Sequence, residues 1–395
     1  MTRTASPVGW DVDPAVRTAS GYPELCADLT ADVCVVGLGG SGLAAIGAAL
    51  DRGLSVVGLD SGPVAAGAAG RNGGILAGGP AIGKAEGIRR WGAAAIADLY
   101  RQTAAEIDHL EAILGPQVIR RTGVLRLVEA RWDAGDRTAA ERDRERDDAA
   151  AERRALAQLG IAVQDYDGPL GTGWITPDDA AMSPPRRALA LAAHYLARYP
   201  HALQLFEHSP VLGLKHGIVR TPGGRVSAGL VLVATDGGMA ALLPDLAGRI
   251  RPVRLQMLAT APLPTTVLPW PVSLRLGYDY AQQDDSGRLL IGGGRDQDAD
   301  AEETSSTEPT PIVQRWIERM AGRIAGGPVT VTHRWAASAG YTPDGVPLVV
   351  RAGGRVVACG GYNGHGNLIG PLAARAALAA GLDGTAPPVW FAGPN

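Results

Sequence analysis

The run Asp32-Val33-Cys34-Val35-Val36 leads into Gly37-Leu38-Gly39-Gly40-Ser41-Gly42, and Leu54-Ser55-Val56-Val57-Gly58-Leu59-Asp60 follows after eleven intervening residues. The first run is short, apolar and closed by glycine, as a buried strand is. Ser41 to Leu50 holds small residues with no breaker except glycine, which predicts a helix packed closely on a sheet. Leu54 to Leu59 predicts the next strand, closed by Asp60. A strand, turn, helix and strand in this order set the fold class as α/β. The turn fits G-x-G-x-x-G. Its first glycine allows the tight bend, the second admits a pyrophosphate to the backbone, and the third lets helix and strand approach. The helix N-terminus offers unpaired N–H groups to the phosphates. Asp60 stands eighteen residues beyond Gly42, where an acid meets a ribose 2′-hydroxyl. A dinucleotide is therefore expected, but the triplet alone does not separate FAD from NAD.

The rest of the composition narrows the class of protein. A chain of 395 residues is too long for one ordinary core, so two lobes are expected. A net charge of −3 and a pI near 6.2 give no electrostatic case for nucleic acid or an anionic membrane surface. No apolar stretch reaches the roughly 18 residues of a membrane span. The opening residues lack the apolar core of a secretory signal and read as a short irregular lead-in. Cys26, Cys34 and Cys359 have no metal-like spacing, and reduced thiols of a cytoplasmic protein are the simple reading. Lysine is nearly absent: Lys84 and Lys215 are the only two.

Further along, apolar residues recur at helical spacing from Ile88 to Ile113, up to Gly115-Pro116. Val118 to Val128 alternates like a strand. Thr138 to Leu159 predicts a solvated helix with Glu141/Arg144 and Asp143/Arg146 pairs. Pro184 to Tyr199 predicts a helix, and Lys215-His216-Gly217 a hairpin turn. Leu230 to Ala234 and Val356 to Cys359 predict buried strands. Val253 to Ala261, Val272 to Leu276 and Arg288 to Ile291 have the texture of antiparallel sheet. Asp296 to Pro311 reads as an acidic surface loop, and a helix is expected from about Asn367 to Ala380. Nucleotide-type segments thus occur at the start, middle and end, with sheet-rich segments between. We expect a discontinuous cofactor domain over 1–85, 181–245 and 330–395, and an antiparallel-sheet substrate domain over 86–180 and 246–329.

Gly67-Ala68-Ala69-Gly70-Arg71-Asn72-Gly73-Gly74 resembles the glycine-rich loop of the D-amino-acid oxidase superfamily, most closely its γ-glutamylputrescine oxidoreductase-type subgroup. Tyr280 through Gly293 resembles that family's tyrosine-led strand with its Gly-Gly pair. Trp335 through Pro347 and Gly360 through Gly366 resemble its C-terminal signature. The resemblance runs from Ala31 over nearly the whole chain. It implies a Rossmann-type FAD-binding domain, α/β in type within an α+β whole. The FAD would be held by Gly37, Leu38, Gly39, Gly40, Ser41, Gly42, Asp60, Ser61, Ala69, Arg71, Asn72, Gly73 and Gly74. Val211 would contact the adenine through its backbone, and Ala234 and Thr235 would line the ribityl chain. Gly361, Asn363, Gly364, His365, Gly366, Asn367 and Leu368 would lie beside the flavin. That last placement has a separate physical sense, since a helix N-terminus stabilises the negative charge of a reduced flavin.

Departures from the family pattern carry information too. Ala69 stands where the family often has serine. No cysteine lies near Ala339 or Gly340, and no histidine replaces Arg71-Asn72, so non-covalent FAD is implied. Leu368 and Leu290 stand where sarcosine oxidases carry lysines for the substrate carboxylate and for oxygen. Lys84 is the one lysine near an expected active-site segment, although a surface position is its plainer reading. His365, Tyr280, Tyr341 and Arg71 are the candidate catalytic residues, with Arg71 also a candidate for an anionic substrate group. The expected reaction removes a hydride from a C–H beside an amine nitrogen. The imine then hydrolyses, and electrons pass to oxygen or another acceptor. Two alternatives stay open: a 2-hydroxyacid or polyol dehydrogenase, and a flavin-binding subunit with little activity alone.

Overall fold

The computed structural model describes residues 8–131 and 138–391. β1 (Leu29–Val36) is covered on both faces, so Val33, Cys34 and Val35 are wholly buried, as a central parallel strand requires. α1 (Gly40–Leu50) returns the chain over one face, and β2 (Val56–Leu59) pairs in parallel with β1. The other side of β1 takes a strand from far along the chain, β3 (Arg225–Val233), again in parallel. The last strand of the set, β4 (Val356–Gly360), pairs in parallel with the C-terminal half of β3. Val36, Leu59, Val233 and Ala358 stand in one row across these four strands. Their carboxyl ends therefore open on one edge, where doubly wound sheets bind ligands. Leu203–Phe206 and the Gly213–Lys215/Ile218–Arg220 hairpin extend this sheet, and Leu348–Arg351 pairs with β4.

A second sheet of eight strands is almost wholly antiparallel. Its order runs Val331–Tyr341, Arg251–Thr260, Leu289–Gly292, Asp279–Gln283, Val272–Leu274, Val124–Ala130, Gly171–Thr176 and Gln164–Gly168. The helix Pro311–Ala325 packs Ile317, Met320 and Ile324 into this sheet's core. The main helices before it are α2 (Lys84–Trp91), α3 (Ala93–Leu114), α4 (Ala139–Gln158) and α5 (Pro184–Arg198). α6 (Gly366–Asp383) follows β4 and packs on α1. Ile75–Leu76, Ala180–Met182 and Ile119–Arg120 form a small third sheet.

Several expectations are corrected. The helix expected from Ile88 to Ile113 is two helices, because Gly92 takes φ +83° between α2 and α3, a conformation that ends a helix. The expected strand from Val118 to Val128 splits at Gly123, which has φ +70°. Strand Val331–Tyr341 pairs along Arg251–Thr260 and so lies in the second sheet, whereas a boundary at 330 assigns it to the first. On α4, the Asp143–Arg146 pair forms, while Glu141 caps the helix by accepting from the Thr138 amide. Along Asp296–Pro311, Glu302 is 1% exposed and accepts from Arg254 and Gln256. An acidic run there contains a buried, fully paired carboxylate. The lead-in is also docked: Val8 and Trp10 are buried in a cluster with Met257, Leu290 and Trp335.

Candidate active site

Gly37 ends β1 with φ +104°, and a Cβ there would stand 2.7 Å from the Ala234 carbonyl oxygen. A Cβ on Gly42 would stand 1.8 Å from the Gly37 carbonyl oxygen. Both positions require glycine. Gly39 caps α1, followed by Gly40 and Ser41 in its first turn. Asp60 Oδ2 accepts from the Leu38 amide at 2.7 Å and Oδ1 from the Gly62 amide at 3.0 Å. The carboxylate thus shapes the glycine turn while remaining half-exposed. Desolvation raises its pKa, opposed by these backbone donors. Ser61 is exposed beside it, and Val211 is half-buried beyond the sheet edge.

The 67–74 loop faces that turn, with Ala69 Cβ 3.2 Å from where a Cβ on Gly39 would lie. Asn72 is its hub. The amide side chains of Asn72 and Asn367 exchange two hydrogen bonds of 3.2 and 3.0 Å, and Asn72 Oδ1 also accepts from the Gly74 amide. Trp10 donates to the Asn72 carbonyl and Trp335 to the Arg71 carbonyl. The Arg71 guanidinium donates to the Ala336 carbonyl at 3.2 Å. Its charge is engaged in holding the loop. Gly73 carries the Tyr280 ring against it, 2.6 Å from the position of a Cβ. Gly74 has φ +70° and accepts from the Met182 amide.

A third wall comes from the ends of β3 and β4. Ala234 closes β3, and Thr235 Oγ1 is a buried atom with no hydrogen-bond partner among the described residues. Asp236, at φ +47°, accepts from the Gly340 amide at 2.7 Å and the Gly361 amide at 2.8 Å. Desolvation raises its pKa, and the backbone donors oppose this. A side chain on Gly340 would meet Asp236 at 2.5 Å, so position 340 has no room for a cysteine. Asp236 was not singled out from the sequence, although an acid directly after a buried strand and before two glycines is a visible signal. Asn363, at φ +52°, ties its side chain to the Thr342 amide. Gly364 has φ +85° and lies against the Tyr341 hydroxyl. His365 caps α6, with Gly366 as its first residue. Leu368 is 1% exposed and belongs to the core under the first sheet.

Tyr280 and Tyr341 stand on strands of the second sheet that Arg251–Thr260 and Leu289–Gly292 separate, and Arg295 follows the Leu289–Gly292 strand. Its guanidinium carbon is 4.6 Å from the Tyr278 ring centre and 5.0 Å from that of Tyr341. Gly293 and Gly294 aim it: a Cβ on Gly294 would be 2.6 Å from Trp316, and its amide donates to Asp279. Arg275 is held by both Asp279 and Asp296. No acid pairs with Arg295 among the described residues. Lys84, expected at the surface, instead pairs with Glu152 of α4. Desolvation pulls its pKa down, but Glu152, Tyr100 and Asp179 together outweigh this and the net shift is upward. His365 is solvent-accessible, yet desolvation lowers its pKa, opposed by the Asn363 carbonyl, with Lys84 lowering it further.

The sequence model of the family described as FAD dependent oxidoreductase, DAO, matches residues 32–380. The chain belongs to that family. It is 25% identical over 381 residues to a probable oxidoreductase OrdL of Haemophilus influenzae, a match covering 90% of this chain and 83% of that protein. A probable oxidoreductase OrdL of Rhizobium meliloti is 30% identical over 217 residues. That second match covers 53% of this chain and about half, 48%, of the relative. Among solved structures, glycine oxidase from Geobacillus kaustophilus has the same fold, with a TM-score of 0.71 at 19% identity over 90% of this chain and 95% of that one.

The cofactor of the family is FAD, and the residues present fit it. The glycine turn leaves a cradle that any Cβ would fill, the first turn of α1 points N–H groups into it, and Thr235 Oγ1 is left for a ligand. Among the described residues no group of three or more His, Cys, Asp or Glu could hold a metal. No helix among them is long and apolar enough to cross a membrane.

Proposed function

We propose that this FAD-dependent oxidoreductase oxidises the C–N bond of an amine that also carries an anionic group, an amino acid in the simplest case. Arg295 carries this reading. It is a half-buried guanidinium with no acid partner among the described residues, over the rings of Tyr278 and Tyr341, and Tyr341 in turn lies against the Gly364 loop. A carboxylate supplies the charge-assisted hydrogen bonds that it lacks. Bound FAD supplies the hydride acceptor. The chain's own residues orient the substrate: Arg295 holds the carboxylate, Tyr280 and Tyr341 wall the pocket, and His365, whose pKa desolvation lowers, stands at the start of α6 beside them.

FAD is held without a covalent bond in this proposal, since Gly340 and the Arg71–Asn72 loop offer no linkage. A substrate larger than sarcosine, as in the γ-glutamylputrescine oxidoreductase-type subgroup, suits Leu368, which is buried and gives no charge. Leu290 is likewise wholly buried among Trp335, Met257 and Trp10, so no cation assists oxygen at that position. Oxygen or another acceptor then takes the electrons more slowly than the substrate delivers them.

The test is anaerobic stopped-flow mixing of the yellow protein with amino acids, their decarboxylated amines and 2-hydroxyacids. Bleaching of the flavin band by amino acids, followed by slow recovery in air, supports the proposal. Bleaching by hydroxyacids alone defeats it.

A further inference from the structure

We propose that Arg187 is the counter-charge of the FAD pyrophosphate at the N-terminus of α1, an assignment that rests on the family's cofactor and not on the substrate reading. Arg187 is the fourth residue of α5 and only 3% exposed. Its Nε and Nη2 have no hydrogen-bond partner among the described residues. Nη2 lies 3.0 Å, and Nη1 3.4 Å, from the position a Cβ on Gly40 would take. Gly40 is the first residue of α1. The guanidinium therefore occupies the space that a side chain there would need.

This placement is unfavourable without an anion. A helix N-terminus carries about half a positive charge, and a buried guanidinium without partners is costly. The acid that acts on Arg187 is Glu106 of α3, which already pairs with Arg375 of α6. Tyr195 is also close, and burial pushes its pKa up to about 12, so it is neutral at physiological pH. Two arginines against one carboxylate leave one positive charge, added to the helix end. A pyrophosphate neutralises both. The opposing loop brings little help, because Ala69 presents a methyl group to the cleft at Gly39 and has no hydroxyl to donate.

The test uses the full chain freed of FAD and titrated calorimetrically with FAD, ADP and adenosine. The variants are Arg187→Met and Arg187→Lys. Arg187→Met is expected to weaken FAD and ADP by about 100-fold, the scale of a lost buried charge pair, and to leave adenosine unchanged. Arg187→Lys should recover part of the loss. Raising salt should weaken ADP binding more steeply in the wild type than in Arg187→Met. Should Arg187→Met not fold, Arg187→Gln removes the charge and is read in the same way. Wild-type ADP affinity in the uncharged variant overturns the proposal. An equal loss for adenosine also overturns it, because the residue would then be holding the helices and not the phosphates.

Discussion

The guanidinium carbon of Arg295 lies 5.0 Å from the centre of the Tyr341 ring, while Arg275, 5.9 Å from the centre of the Tyr278 ring, is bound by two carboxylates. Two arginines thus share one tyrosine, Tyr278, one of them saturated and one open. Arg295→Gln should raise the dissociation constant for amino-acid substrates by about 30- to 100-fold, by loss of a charge-assisted contact. Decarboxylated amines should be affected little. The measurement is flavin reduction rate against ligand concentration for each member of an amino acid and amine pair. Equal losses for both members would remove the anion-binding role.

Gly73 and Tyr280 are in direct contact, and the ring leaves no room for a methyl group. Gly73→Ala should displace either the ring or the loop, at a cost of about 1–3 kcal/mol, and lower the flavin content of the purified protein. Adding Tyr280→Ala should restore flavin retention, because the second change empties the contested space. Thermal melting and the ratio of flavin to protein absorbance check both steps.

Asp179 accepts from the Gly78 amide and is 8% exposed. Burial raises its pKa from 3.8 to about 7. The native state therefore keeps a proton that the unfolded chain has lost, and stability from this group falls as pH rises from about 4 to about 7. That interval corresponds to about 4 kcal/mol at most. Asp179→Asn should flatten the dependence of Tm on pH across this window and raise Tm above pH 7. A variant with the wild-type pH profile would show that the carboxyl does not titrate in the native state.

Lys84 depresses the basicity of His365 and Glu152 raises it. Lys84→Met removes the first influence and frees the second, so the His365 pKa should move up. Its imidazole resonances, followed by NMR between pH 4 and 8, should titrate at a higher midpoint in the variant. An unchanged midpoint would place Lys84 electrostatically apart from the flavin side of the pocket.

The legible parts of the site are those whose geometry is local. Gly37, Gly42 and Asp60 act on neighbours in one strand-turn-strand unit, and their spacing announces them. The 67–74 loop is legible differently, through its resemblance to the glycine-rich loop of the D-amino-acid oxidase superfamily. Arg295 and Arg187 were not, because the rings around the first and the helix end beside the second come from distant segments. Neither arginine differs in sequence from an ordinary surface residue. Lys84 and Glu302 failed in the same way: a charge in a polar stretch reads as solvated until its partner, half-buried Glu152 or buried Arg254, is brought to it by the fold. The breaks at Gly92 and Gly123 were missed because apolar periodicity continues through both, while the positive φ overrides it.

The docking of Trp10 has a consequence for the order of events during synthesis. Residues 8–10 close against Asn72, Arg288 and Trp335. The last of these emerges more than three hundred residues later, at translation rates of about 5–20 residues per second. Over that interval of tens of seconds the glycine turn and the 67–74 loop exist without Trp335, the donor to the Arg71 carbonyl. The 67–74 loop therefore gains the second of its two indole donors only after residue 335 has been made, more than three hundred residues after the first.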